Sequence, residues 1–172
     1  PDIFTTFTQV SGNASVQRDL GTTNVIASWK ISGMLSFELS NVTGTGINSY
    51  VDVLDASGKI LARFTYTVVQ ATKVITIYGN NVIIASGNLG STLLQFQPFE
   101  VNVVNGFVTF TYANLAPITA SIYDPSADWK NPKTFRQYFV GGFPPYGRSI
   151  GFMDMQFYKD YPVTLSTYYV KK

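Results

Sequence analysis

The sequence contains no cysteine and no histidine among its 172 residues. Without cysteine, the chain has no disulfide, no thiolate metal site and no thiol nucleophile. Without histidine, it lacks the commonest general base and the commonest metal ligand in proteins. The common catalytic triads therefore cannot be assembled from this composition.

Charged residues are also scarce, at 13% of the sequence, and the net charge is +2. The Lys and Arg residues are scattered along the chain rather than clustered, so nothing indicates a nucleic-acid partner. No run of apolar residues approaches the roughly 20 that a helical membrane span requires. We therefore expect no nucleic-acid binding and no membrane span in the mature chain.

Carboxylates arranged for glycoside hydrolysis are missing as well. The two Glu residues, Glu38 and Glu100, lie far apart in the sequence, and neither has the acidic neighbour that such enzymes use. Asp154 stands between Met153 and Met155, with no second carboxylate on the same predicted strand. We therefore expect that the protein is not an enzyme and that it needs no cofactor.

The clearest structural signal is the segment 99–112, FEVNVVNGFVTFTY. Asn105 and Gly106 tolerate positive φ at both central positions of a type I′ turn, which closes a two-residue hairpin. This turn sets the register, and the alternation of side chains along a strand then places six apolar residues on one face. These residues are Phe99, Val101, Val103, Val108, Phe110 and Tyr112. Because the opposite face is mostly polar, we predict a hairpin half buried against a second layer.

Short strand-like segments separated by turn residues continue along the chain. Turns are predicted at 55–58 and 79–81, strands at 118–123, 135–140 and 149–158, and no window shows sustained helical spacing. This pattern predicts an all-β fold, an antiparallel β-sandwich of jelly-roll type. We expect the sandwich domain to comprise residues 24–172, preceded by an N-terminal strand and linker at 1–23.

Two segments of the second half resemble the lectin-like β-sandwiches typified by concanavalin A and laminin G domains. They are the hairpin at 99–112 and TFRQYFVGGFPPYGRSIGFMDMQFY at 134–158. In that superfamily a strand–NG–strand pair is followed by a strand ending in Gly-Gly and by a closing strand of the form G-x-x-D-x-x-x-Y. Gly141-Gly142 and the segment 151–158 occupy those places here. The resemblance implies a concanavalin A-like sandwich, and it does not by itself imply sugar binding.

One loop carries the nearest match to the calcium and sugar sites of legume-type lectins. In the segment DPSADWKN at 124–131, the side chains of Asp124, Asp128 and Asn131 offer hard oxygen ligands. The spacing differs from the lectin pattern, and Asp124 followed by Pro125 also has a simpler use as the start of a turn. We expect no metal requirement, and these three residues are the weak candidates.

Aromatic residues near this loop form a second set of candidates. The rings of Tyr123, Trp129, Tyr138 and Tyr146 are available for stacking on the face of a sugar. Aromatic side chains in a sandwich also pack in the core or at its rim, and the sequence leaves both interpretations open.

The N-terminal segment 2–10, DIFTTFTQV, has strand propensity and no Gly or Pro. Such a strand can pair within its own sandwich, or it can complete the sheet of a neighbouring subunit. Repeated head to tail, the second arrangement gives a filament of identical copies. In size, all-β character and strand-like N-terminus the chain resembles subunits of extracellular fibres, the archaeal threads, bundling pili and TasA-type fibres. The residues expected to form this donated strand are Asp2, Ile3, Phe4, Phe7 and Val10.

Two sequons favour an exported protein. Asn13 and Asn41 each begin an Asn-x-Ser/Thr triplet and are candidate sites for N-linked glycans. The chain starts at Pro1, which is compatible with removal of a signal peptide or with a trimmed chain. We expect an extracellular or cell-surface location.

Two functional hypotheses follow from these observations. The first is a structural subunit of an extracellular filament, assembled by donation of the N-terminal strand to other copies of the chain. The second is a secreted, lectin-like module that binds surface carbohydrate. The apolar N-terminal segment favours the first hypothesis, because such a segment is costly to expose to water.

Overall fold

A computed structural model describes residues 5–7, 15–21, 27–36, 46–69, 71–72, 74–88, 96–139 and 150–159. The described residues form twelve β-strands. The bounds are β1 Thr5–Phe7, β2 Ser15–Asp19, β3 Ser28–Ser36, β4 Gly46–Asp55, β5 Ile60–Val69, β6 Val74–Gly79, β7 Val82–Asn88, β8 Gln97–Val104, β9 Phe107–Tyr112, β10 Ile118–Ser121, β11 Pro132–Phe139 and β12 Ile150–Lys159. No helix among these residues is long and apolar enough to cross a membrane.

The strands form two six-stranded antiparallel sheets. The first sheet has the order β1-β12-β3-β8-β9-β10, and the second sheet has the order β2-β11-β4-β5-β6-β7. In the first sheet β8, β9 and β10 form a meander, and in the second sheet β4 to β7 form another. The other strands alternate between the two sheets, so the chain crosses from one sheet to the other several times. This arrangement is a jelly-roll β-sandwich, and it confirms the predicted concanavalin A-like fold class.

The hairpin of β8 and β9 has the predicted register. Phe99 pairs with Tyr112, Val101 with Phe110, and Val103 with Val108. All six apolar side chains predicted to share a face are buried, and none is more than 3% exposed. Asn105 and Gly106 have φ values of 51° and 79°, as a type I′ turn requires. Local turn chemistry therefore sets the register between β8 and β9.

The core lies between the facing sides of the two sheets. Phe64 of β5 makes an edge-to-face contact with Phe110 of β9, with a distance of 5.0 Å between ring centroids. Phe99 of β8 stacks on Phe135 of β11 at 5.9 Å. At the end of the hairpin, buried Trp29 donates a hydrogen bond of 2.7 Å from its indole nitrogen to the carbonyl oxygen of Trp129. Aromatic contacts thus join the sheets along the core.

Two strands differ from the expected pattern. The strand β3 continues through Gly33, although glycine is disfavoured inside a strand. In β12 the register shifts between Met153 and Gln156, and Asp154 adopts a positive φ of 52° in this bulge. A bulge of this kind reverses which side chains face the core, so simple alternation does not hold across β12.

The N-terminal segment differs from the predicted donated strand. β1 pairs with β12 of its own chain, with Thr5 opposite Phe152 and Phe7 opposite Ile150. Within the predicted linker, β2 forms a strand of the second sheet and pairs with β11. Both strands complete sheet edges within one chain, so the pairing that motivated the filament hypothesis is intramolecular here. Asp2, Ile3, Phe4 and Val10 lie outside the described residues.

Candidate functional site

Polar and aromatic side chains gather on the outer face of the second sheet. In β5, Phe64, Tyr66 and Val68 face the core, so the alternating Arg63, Thr65 and Thr67 face outward. The neighbouring strands follow the same rule. On β4, Tyr50 and Asp52 face outward, and on β11 the outward residues are Arg136 and Tyr138.

Asp52 lies at the centre of this face and binds two arginines. It is fully buried, although it points away from the core. Its Oδ1 accepts a hydrogen bond of 2.6 Å from Arg63 Nε, and its Oδ2 accepts one of 2.9 Å from Arg63 Nη2. The same Oδ2 accepts a hydrogen bond of 2.8 Å from Arg136 Nη2. One carboxylate therefore holds two guanidinium groups side by side.

Tyrosine rings pack against both guanidinium groups. Arg63 Cζ lies 4.0 Å from the ring centroid of Tyr50 and 5.1 Å from that of Tyr123. Tyr50 stacks on Tyr138, with 4.9 Å between ring centroids, and Arg136 Cζ lies 4.8 Å from the centroid of Tyr138. We call these six residues, Tyr50, Asp52, Arg63, Tyr123, Arg136 and Tyr138, the tyrosine–arginine array. Cation–π contacts and charge-assisted hydrogen bonds hold it together.

Two residues of the array have a shifted pKa, Arg63 and Tyr50. Burial alone would lower the pKa of Arg63, but its hydrogen bonds with Asp52 and the charge of that carboxylate raise the pKa above the ordinary value. Burial raises the pKa of Tyr50, and this effect outweighs the opposing charge of Arg63. At neutral pH Arg63 is therefore a guanidinium cation and Tyr50 keeps its hydroxyl proton.

The segment that carries Tyr123 is attached to the sheet by backbone hydrogen bonds. Tyr123 N donates to Leu61 O at 3.0 Å. Asn80, in the turn after β6, accepts a hydrogen bond of 2.8 Å from Arg63 N and donates one of 2.7 Å to Ser121 O. These bonds place Tyr123 beside Arg63 although the two residues are distant in sequence.

The array continues into a polar strip across the sheet. Gln17 of the edge strand β2 lies opposite Arg136, and both Gln17 and Ser15 are exposed. On the other side, Thr65 lies opposite Tyr78 of β6. Neighbouring strands are about 4.8 Å apart, so the five strands from β2 to β6 span about 19 Å. A surface of this width can contact an extended ligand rather than a single small group.

The residues predicted as weak metal ligands hold their own loop in place. Asp124 Oδ1 accepts hydrogen bonds from the backbone and hydroxyl of Ser126, at 2.9 Å and 2.7 Å. Asp128 accepts hydrogen bonds from Lys130 N and from the side-chain amide of Asn131. Asn131 thus directs its amide nitrogen at Asp128. In the described part of the chain, no group of three or more acidic residues is placed to hold a metal ion.

The structure places the described candidates for sugar stacking in two different regions. Tyr123 and Tyr138 belong to the tyrosine–arginine array. Trp129 lies elsewhere, where it packs against the core and lies over Gly106 in the β8–β9 turn. Lys130 Nζ lies 5.4 Å from the Trp129 ring. The other candidates, Tyr146 and the sequon residues Asn13 and Asn41, lie outside the described residues, and their assigned roles stay predictions.

No protein-family model matches the sequence, and no curated protein sequence matches it either. Solved structures do share the fold. The CBM2 module of the evolved Dit of Lactobacillus casei BL23 phage J-1 has a TM-score of 0.58 at 12% identity, over 86% of this chain and 70% of that chain. Alginate lyase AlyC3 has a TM-score of 0.55 at 10% identity, over 91% of this chain and 75% of the enzyme. A sialidase has a TM-score of 0.57 at 11% identity over 85% of this chain, which spans only 14% of the sialidase chain.

These comparisons correct one prediction. The lack of histidine and of paired carboxylates predicts that the protein is not an enzyme, but several structures with this fold are alginate lyases. At 10–14% identity they show a fold that enzymes and binding proteins share. The conclusion against catalysis was therefore wrong, because the missing histidines and paired glutamates exclude particular mechanisms and not catalysis on this fold.

Sequence reasoning missed four of the six residues of the array. Tyr50, Asp52, Arg63 and Arg136 were not singled out, because each stands alone within an apolar segment. The sequence did contain a signal for the three charged residues, because charged side chains inside apolar segments are unusual in a chain with only 13% charged residues. It could not reveal that the three charges meet, because Asp52 and Arg136 are 84 residues apart.

Proposed function

We propose that the protein is a carbohydrate-binding module that works outside the cell or at a cell surface, and that the tyrosine–arginine array is its binding site. The observation that carries the proposal is the array itself. It places two arginines and three tyrosines together on the outer face of one sheet, with exposed polar residues beside them. Saccharides are rich in hydroxyl groups, and such a set of fixed donors is suited to binding them.

The fold comparisons support the same proposal. One structure with this fold is a CBM2 module, and others are alginate lyases that act on a polysaccharide. The filament hypothesis receives no such support, and β1 pairs within its own chain. The sequons at Asn13 and Asn41 favour an extracellular setting.

The proposal can be tested with a glycan array and a pair of matched variants. Tyr138→Phe removes one hydroxyl, which lies 3.4 Å from Arg63 Nη2, and keeps the stacked ring. Tyr158→Phe is the control, because it removes a hydroxyl from a strand of the first sheet. We expect the wild type and Tyr158→Phe to bind the same glycans and Tyr138→Phe to bind them more weakly.

Two results would count against this function. One is the absence of binding to any glycan on an array that covers neutral and acidic sugars. The other is equal loss of binding in the two variants, which would place the binding surface elsewhere.

A further inference from the structure

We propose that the array recognises the acidic group of a carbohydrate, a carboxylate or a sulfate, rather than a neutral sugar. This inference rests on the proposed function and adds the chemical class of the ligand. Three properties of the array carry it: its charge balance, the occupied faces of its tyrosine rings and the exposure of Arg136.

The charged groups of the array carry a net positive charge. Both ion pairs that Arg63 and Arg136 make with described residues use the same carboxylate, that of Asp52. A single negative charge thus stands between two guanidinium cations, and the side chain of Asp52 is fully buried beneath them. A ligand on this surface meets the unbalanced positive charge, and an anionic group would neutralise it.

Two of the three tyrosine rings already have partners within the array. Tyr138 and Arg63 both contact the Tyr50 ring. Tyr138 stacks on Tyr50 and also has Arg136 over its ring. Stacking on a sugar needs an open ring face. The faces that these two rings turn toward each other and toward the arginines are therefore not available to a sugar.

Arg136 is the arginine that a ligand can reach. Its side chain is 30% exposed, against 11% for that of Arg63. One of its terminal nitrogens, Nη2, binds Asp52, and its Nε is buried without a hydrogen-bond acceptor among the described residues. The third nitrogen of the guanidinium group, Nη1, is left to donate to an oxygen of a carboxylate or sulfate.

The test compares acidic polymers with neutral polymers of the same backbone. Polygalacturonate would be compared with its methyl ester, and dextran sulfate with dextran, by calorimetry on the full chain. We expect binding to one or both acidic polymers and at least tenfold weaker binding to the neutral partners. The carboxylate and sulfate arms also show which anion is preferred.

Three variants locate the binding. Arg136→Gln should weaken binding to the acidic polymer at least tenfold. Lys130→Gln, which removes the same charge in the loop before β11, should change it less than twofold. Gln17→Glu places a negative charge opposite Arg136 at an exposed edge position, and it should weaken binding even if Arg136→Gln fails to fold.

Each alternative outcome has a separate meaning. Equal binding to neutral and acidic polymers would overturn this inference and leave the carbohydrate-binding function standing. Binding to no polymer and to no glycan on the array would overturn the function as well. Binding that falls equally in Arg136→Gln and Lys130→Gln would show general attraction to polyanions, and it would overturn the inference.

Discussion

Replacing Asp52 with Asn should destabilise the protein more than any other single change of a charged side chain in the array. The side chain of Asp52 has no exposure, and it accepts three hydrogen bonds from two arginines. Asn keeps the size and one acceptor oxygen, but its NH₂ group would face guanidinium donors. Two cations would then remain close together without a counter-charge. Removing one partner of a buried ion pair costs about 3–5 kcal/mol.

The matched control is Asp19→Asn. Asp19 also forms an ion pair, with Lys133 at 3.1 Å, but this pair is on the surface and both side chains are well exposed. The free energy of unfolding would be measured by urea denaturation at pH 7, with the fluorescence of the two tryptophans, Trp29 and Trp129, as the probe. We expect the midpoint to fall strongly in Asp52→Asn and little in Asp19→Asn.

A double-mutant cycle separates the ion pair from other effects of the substitution. Once Asp52 is neutral, Arg136→Gln removes an uncompensated cation, so it should cost less than it does in the wild type. We expect a coupling energy of roughly 0.5–3 kcal/mol for these contacting residues. If Asp52→Asn lost less than about 1 kcal/mol, as a surface pair does, or if the two changes were additive, the reasoning about a buried shared carboxylate would be refuted.

Three further predictions follow from other parts of the molecule. Phe110→Ala should cost about 3–5 kcal/mol, because the ring is fully buried against Phe64; Phe107→Ala, on a side chain that is 57% exposed, should cost far less, and similar losses would contradict the assigned faces of β9. Burial opposes the charge of Asp55, but hydrogen bonds from Asp128, Ser57 and Lys59 outweigh burial and hold the pKa of Asp55 below its ordinary value. Its contribution to stability is therefore complete above the unfolded aspartate pKa of about 3.9 and is lost as the pH falls through the lower folded-state pKa. Thermal melts should show a steeper loss below about pH 4 in the wild type than in Asp55→Asn, and parallel curves would argue against it. Finally, Asn13 and Asn41 should carry glycans in native protein from a cell that performs N-glycosylation, and mass spectrometry showing both unmodified would rule this out.

The sequence determined those features that depend on neighbouring residues. The Asn105–Gly106 turn and the alternation around it specify the register of β8 and β9 and the buried face of the hairpin. The turn at 55–58 is also local, because Asp55 Oδ1 accepts hydrogen bonds from Ser57 and Lys59 within the same turn. A two-residue turn leaves little freedom of pairing, so the pattern and the structure agree there. The all-β class follows from the same local signals repeated along the chain.

Only the tertiary structure decided where the N-terminal strand pairs and which side chains form the candidate site. The composition of residues 2–10 predicts a strand. A strand pairs through backbone groups, and every sheet edge offers such groups. The sequence therefore did not distinguish pairing with β12 of the same chain from pairing with a neighbouring subunit. The tyrosine–arginine array also depends on pairing between strands that are distant in sequence. The β4–β5 hairpin brings Arg63 beside Asp52. Arg136 reaches Asp52 only because the chain crosses from β10 in the first sheet to β11, which pairs with β4 in the second sheet. Long-range pairing of that kind depends on how the two sheets bury their apolar faces together, and no local pattern encodes it.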